Sequence, residues 1–339
     1  MPLAAVPPAT GGRPTRRRAW LVPVLGLALV ALAAVGGAFY WLVVRYEPVA
    51  TRHVLPGAAF VVRADFSALV GYAPIRRPLA ALWLDPGPAE GGASTFGDRL
   101  EDTTGIHLGR DPREVVLSIE PVGVAARWVL AIGGNFPRAV VPDLAKLAAE
   151  EPTLGSALAA DGITLVLGRS GIAIGQADDR TLLIASDATA LSDARAEGDA
   201  AIVRALPVAP VSFAGNDGVW GGALAGADAA NGWLELGDAP ALTVRLHAGH
   251  GVPPPVLRGT LLAAVGAAAA VAALVHLPDL AGEQQALAGA TVVSDDARGL
   301  VTLSAPWPAS GLERGAAALA ELVRSVRAGR PVRRLELPR

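Results

Sequence analysis

The chain has 339 residues, with 29 Lys+Arg against 31 Asp+Glu, and Lys146 is its one lysine. It contains no Cys, and its one Met is Met1. The missing cysteines exclude a disulfide framework, thiolate metal sites and a Cys nucleophile. A solitary Lys with no Gly-rich loop before it excludes a Walker-A nucleotide site.

The first 18 residues form a basic tail, with Arg13, Arg16, Arg17 and Arg18 and no acid. From Ala19 to Val44 the chain carries no charge, and 13 of these 26 residues are Leu, Val or Phe. That length spans a hydrocarbon core of roughly 30 Å as a helix. Trp20 lies at one end and Phe39, Tyr40, Trp41 and Tyr46 at the other, the pattern of an aromatic belt. The flanking arginines place the N-terminus in the cytoplasm and the bulk of the chain outside, in the periplasm or extracytoplasmic space. The apolar run continues past Gly36-Gly37-Ala38, which favours an uncleaved anchor over a signal peptide.

Beyond the anchor, residues 46–339 hold 24 basic residues and all 31 acids, a formal charge of −7. Six Arg and one Glu fall in 324–339, so the body at 46–323 stands at −12 with a basic tail of +5. An acidic body disfavours nucleic acid as a partner. The tail suits an anionic membrane surface or an acidic partner.

The spacing predicts a first α+β unit over 45–200. A strand at 59–64 is followed by a helical stretch broken at Pro74 and Pro78. Strands come next at Glu114–Ile119 and Trp128–Ile132. Asn135 is a candidate cap for a helix through Leu144 and Leu147. Strands at Ile163–Leu167 and Ile172–Gln176 lead through an Asp178-Asp179 turn into Thr181–Ala185. Ser186 or Asp187 then caps a short helix.

A second unit over 207–328 repeats this order. A strand at Val208–Phe213 precedes a pair at Trp233–Leu236 and Leu242–Leu246. Pro253–Pro255 opens a long Ala-rich helix, and Pro278 opens another over Asp279–Leu287. A hairpin follows at Thr291–Ser294 and Leu300–Ser304, turning at Asp295–Arg298. A last helix carries Leu312, Leu319, Leu322, Val323 and Val326, ahead of a basic tail at 329–339. The fold class read from this order is α+β, with antiparallel sheets and helices on one face and a ferredoxin-like template. Residues 259–278 lack charge but hold only seven Leu or Val, and Leu257, Leu261, Val265, Val271 and Val275 form one stripe. That stripe suits a helix packed on a soluble core better than a second span.

The Arg-flanked anchor, the Leu55-Pro56-Gly57 entry and Thr104-Gly105 ahead of a strand resemble single-pass envelope proteins of high-GC bacteria. The resemblance implies a location and no chemistry.

Candidate chemistry is sparse. His247 and His250 are the close His pair, but they follow a strand, where i and i+3 point to opposite faces. His276 sits near a helix end. Asp98, Glu101 and Asp102 lack the alternating spacing of a Ca²⁺ loop. Asp178/Asp179 and Asp295/Asp296 fit turns. Ser170 is followed directly by Gly171, unlike a nucleophile elbow, and Lys146 lies on the wet face of a helix. Trp128 and Trp233 fit strand cores, whereas Trp83 is unassigned and Trp220 and Trp307 fit exposed segments. No catalytic, cofactor or metal residues are assigned. The expected role is binding or scaffolding at the bacterial inner membrane, with the bilayer and an envelope protein as partners. An envelope hydrolase and an accessory subunit of a transport or secretion complex are the alternatives.

Overall fold

In a computed structural model, twelve strands among the described residues form one mixed-order sheet, and every pairing among them is antiparallel. The structure describes residues 48–83, 96–107, 110–122, 125–137, 140–149, 156–158, 163–168, 171–196, 198, 200–217, 226–275 and 281–327. The proposed anchor at 19–44, Ser170, Trp220, His276 and the tail at 329–339 lie outside these residues.

The strands are β1 (Phe60–Asp65), β2 (Pro112–Val122), β3 (Ala125–Gly134), β4 (Ser156–Leu158), β5 (Thr164–Leu167) and β6 (Ala173–Asp178). They continue as β7 (Thr181–Ala185), β8 (Val211–Asn216), β9 (Ala227–Glu235), β10 (Ala241–Ala248), β11 (Thr291–Asp295) and β12 (Leu300–Pro306). Their order across the sheet is β11-β12-β10-β9-β8-β1-β2-β3-β7-β6-β5-β4. The helices are α1 (Phe66–Gly71), α2 (Ala73–Trp83), α3 (Phe96–Thr104), α4 (Val140–Ala149), α5 (Ala188–Arg195), α6 (Ala201–Arg204), α7 (Pro254–Val275), α8 (Ala281–Ala288) and α9 (Ala309–Arg327). A 3-10 turn at Ala50–His53 precedes β1.

The expected class, mixed α and β around antiparallel sheet, is the one observed. The ferredoxin-like template is not, because a split β-α-β leaves another strand between its first strand and the strand that follows its helix, whereas β1 and β2, which flank α1, α2 and α3, are direct neighbours. Here β1 pairs antiparallel with β2 and with β8. The β1–β8 pairing also carries the sheet without a break from the first predicted unit into the second, and Pro48–Arg339 forms one compact unit.

Local chemistry accounts for the elements. Asp187 caps α5 by accepting the Ala190 N–H at 2.8 Å. Asp65 caps α1 in the same way through Ala68 at 3.0 Å. Asn135 does not cap a helix, because α4 begins at Val140 and the Asn135 N–H is donated to the Asp111 carbonyl at 3.1 Å. Pro78 does not break its helix either: it lies inside α2, one turn after Pro74, and removes a single backbone donor. Gly134 is required where it stands, because a Cβ there would lie 2.2 Å from the Asp111 carbonyl oxygen.

The alternation of side chains gives the sheet two apolar faces. On one face Val61, Val116, Val129, Leu183 and Ala185 are fully buried beneath Ala50, Val54, Leu55 and α5. On the other, two helices cover opposite ends. Val140 and Val141 of α4 pack with Leu165 and Leu182. Leu257 and Leu261 of α7 pack with Leu246, Val292 and Val301. The Ala-rich helix is therefore seated on the sheet through its first turns, as its stripe predicts. Among the described residues no helix is long and apolar enough to cross a membrane.

Candidate functional site

Three features stand out: a tied-down entry segment, a small cleft beside it, and a half-covered apolar sheet centre. Residues 49–58 run onto the face of the sheet that carries Val61, Val116 and Val129. Long-range polar contacts fasten them. The Ala50 N–H donates to Glu114 Oε2 at 3.2 Å, and the Leu55 N–H to Ser118 Oγ at 3.3 Å. His53 Nδ1 meets the Ala194 carbonyl oxygen at 3.0 Å, and the Gly198 N–H donates to the Arg52 carbonyl at 3.0 Å. Glu114 is 1% exposed, and its Oε1 accepts from Arg63 Nε at 2.6 Å. A buried carboxylate needs such a partner, since an unpaired charge out of water costs several kcal/mol.

The cleft, about 350 Å³, is lined by Val141, Pro142, Ile163, Gln176, Ala177, Asp178 and Asp179. Asp178 closes the β6–β7 turn by accepting the Arg180 N–H at 2.8 Å, which is the turn role expected of it. Its other oxygen, Oδ2, lies 4.0 Å from His53 Nε2. His53 is 2% exposed, and its Nε2 is buried with no hydrogen-bond partner.

The third feature lies on the face that α4 and α7 cover at its ends. Between them Phe60, Val62, Leu117, Ile119, Trp128, Leu130 and Phe213 are only half-buried. Their registers place Phe60 opposite Ile119 and Ile119 opposite Trp128, and the rings of Phe60 and Phe213 stand 6.1 Å apart. On β2 alone, Val115, Leu117 and Ile119 are half-buried while Glu114, Val116 and Ser118, which alternate with them, are buried.

The other residues weighed from sequence are not gathered by the fold. His247 is exposed on β10 and His250 is exposed beyond its end. Asp98, Glu101 and Asp102 lie on α3, where Glu101 pairs with His107 Nδ1 at 2.8 Å. Asp295 closes its turn through the Arg298 N–H at 3.2 Å. Lys146 pairs with Asp143 at 2.7 Å on the surface. Trp233 is half-buried under the Arg245 guanidinium, 4.7 Å from the ring centroid, and its Nε1 donates to Glu235 at 3.1 Å. Trp307, expected in an exposed segment, is half-buried, because its N–H joins the Pro240 carbonyl at 2.7 Å and docks the start of α9. Among the described residues no three His, Asp, Glu or Cys side chains gather as a metal-binding group.

At the cap of α5, the Asp187 carboxyl is held below its ordinary range. The Ala190 N–H is the main cause, helped by the Ser186 hydroxyl, the Thr189 N–H and Arg127, against the opposing effect of burial. A depressed carboxyl contributes stability above its unfolded value, and that contribution is lost as pH falls through the folded value. Asp187→Ala is expected to cost about 1 kcal/mol at neutral pH. Asp187→Asn keeps the acceptor and costs less. Urea unfolding at pH 7 and pH 3 checks both, since the Ala penalty shrinks at the lower pH.

No family model matches the chain, and no curated protein matches it. Among solved structures, crystal form I of TP0453 is similar with a TM-score of 0.42 and 11% identity. That similarity covers 83% of this chain and 97% of that one.

Proposed function

We propose that the chain is a single-pass envelope protein of the bacterial inner membrane, whose extracytoplasmic domain binds or scaffolds and performs no catalysis. The anchor is 19–44, with residues 1–18 in the cytoplasm. The observation that supports binding is the half-covered apolar centre of the sheet around Leu117, Ile119, Trp128 and Phe213. Apolar side chains left part-open in a continuous patch mark interaction surfaces more often than isolated exposed ones do. The tied-down entry segment fits a domain carried on an anchor, because Glu114 and Ser118 fasten Ala50 and Leu55, the first part of the domain after the anchor, to the sheet.

The finer architecture we propose is a duplication. The order β1-β2-β3-β7-β6 runs outward from the centre one way, and β8-β9-β10-β12-β11 runs outward the other way. Each is a three-strand meander followed by a hairpin whose second strand joins the meander. The half-covered apolar centre lies mainly on the first arm, through Phe60, Leu117, Ile119 and Trp128 of β1, β2 and β3, and meets the second arm at Phe213 of β8.

In-cell photo-crosslinking tests the binding reading. A photoreactive residue at Leu117 or Ile119 of the full-length chain is expected to yield an adduct. The same residue at Thr243, on the opposite face, is expected to yield none. Equal yields at the two faces, or no adduct at either, would sink it.

A further inference from the structure

We propose a divalent transition-metal site between His53 Nε2 and Asp178 Oδ2 at the end of β6, where Asp178 also lines the cleft. A carbonyl oxygen only accepts, so the 3.0 Å contact from His53 Nδ1 to the Ala194 carbonyl places the ring hydrogen on Nδ1. In the neutral ring that leaves Nε2 as a lone pair, buried and without a hydrogen-bond partner. A bare buried acceptor costs about 1–3 kcal/mol unless something takes it up. The arrangement is the one that orients a metal-binding imidazole, in which one ring nitrogen donates to a backbone carbonyl and the other faces the ion.

The second ligand stands opposite. Asp178 Oδ2 is 4.0 Å from Nε2, too far for a hydrogen bond. An ion about 2.1 Å from each atom at a tetrahedral angle needs roughly 3.4 Å between them. The carboxylate can cover that difference, because its side chain is 41% exposed and its Oδ1 is the atom committed to the Arg180 N–H. Asp178 and Asp179 both line the cleft, so solvent reaches the Asp178 carboxylate, and water would fill the ion's remaining positions. Imidazole with carboxylate selects zinc, nickel, cobalt or copper over calcium and magnesium. With two protein ligands the site is weaker than a closed four-ligand structural zinc site. The bound ion would join the entry segment at His53 to the end of β6, adding a fastening to the segment that Glu114 and Ser118 already hold.

The test uses the full-length chain in detergent micelles with Zn²⁺, Ni²⁺ and Co²⁺ as probes. Zn²⁺ and Ni²⁺ are expected to raise the unfolding midpoint reversibly with EDTA, and Co²⁺ to show visible absorption from mixed nitrogen and oxygen ligands. Asp178→Asn keeps the turn acceptor for Arg180 and is expected to weaken binding by at least about tenfold. The double variant H247A/H250A removes the close histidine pair and is expected to bind as the parent does. Three results would overturn the site: no binding below about 1 mM, equal binding in Asp178→Asn, or loss of binding in H247A/H250A. His53→Gln adds a check on the ring itself where that variant folds.

Discussion

Arg63→Met is expected to destabilise the chain by about 3–5 kcal/mol, more than any surface change in it. Met roughly matches the length of the arginine stem and removes the charge. It thereby strips the 2.6 Å partner from a carboxylate that is 1% exposed. The remaining contact of Glu114, from the Ala50 N–H at 3.2 Å, cannot by itself hold a full charge out of water. Glu114→Gln is milder, because its amide oxygen still accepts from Ala50 and the Arg63 side chain, 18% exposed, can turn toward solvent. The double variant R63M/E114Q is expected to recover at least about half of the Arg63→Met loss, since neighbours in one network are not additive. Urea unfolding of the four proteins, followed by tryptophan fluorescence, measures the cycle. An additive double variant would show that the pair is not energetically coupled.

The same pair shows where sequence reading stops. Hairpins were legible because their turns are local. Asp178 and Asp295 each accept an N–H two or three residues on, so side chain and turn lie within one short window. Asp187 was legible as a cap for the same reason. The β1–β8 pairing was not, since it joins Ala64 to Val211 across a separation that no local periodicity encodes. Glu114 reads in sequence as the polar start of a strand, and its burial follows only from Arg63 and Ala50, both more than fifty residues away. His53 has no motif around it. Its environment is assembled from Ala194 and Asp178, two elements of the far half of the first arm.

The half-covered sheet centre was hidden by a different mechanism. Val115, Val116 and Leu117 are apolar in succession, so β2 lacks the alternation that would mark one face as wet. Continuous apolar strands imply two covered faces. What the fold supplies instead is one face sealed over β1, β2, β3, β6 and β7 and an opposite face covered by α4 and α7 toward its ends, and helix placement, which no strand pattern records, decides which is which.

Helix placement also makes the Ala-rich segment testable. Leu257→Ala is expected to cost about 2–5 kcal/mol, the range for emptying a fully buried leucine site. Leu257 is 0% exposed and packs with Leu246, Val292 and Val301. Leu262, one and a half turns on, is 43% exposed, and Leu262→Ser is expected to change stability by less than about 1 kcal/mol. The contrast separates the two readings of an uncharged stretch of this length. A helix seated on a sheet has one side that tolerates serine and one that does not tolerate alanine. A helix surrounded by lipid has no such division between Leu257 and Leu262, since both would face the same hydrocarbon. Arg258, between them, donates from Nε to the Val292 carbonyl at 3.1 Å on the edge strand β11. That bond fixes the rotation of the helix with Leu257 inward. Arg258→Met is therefore expected to lower the cost of Leu257→Ala, because the helix can then turn to refill the space. Unfolding of the single and double variants measures that coupling directly, and strict additivity would show that Arg258 does not set the rotation.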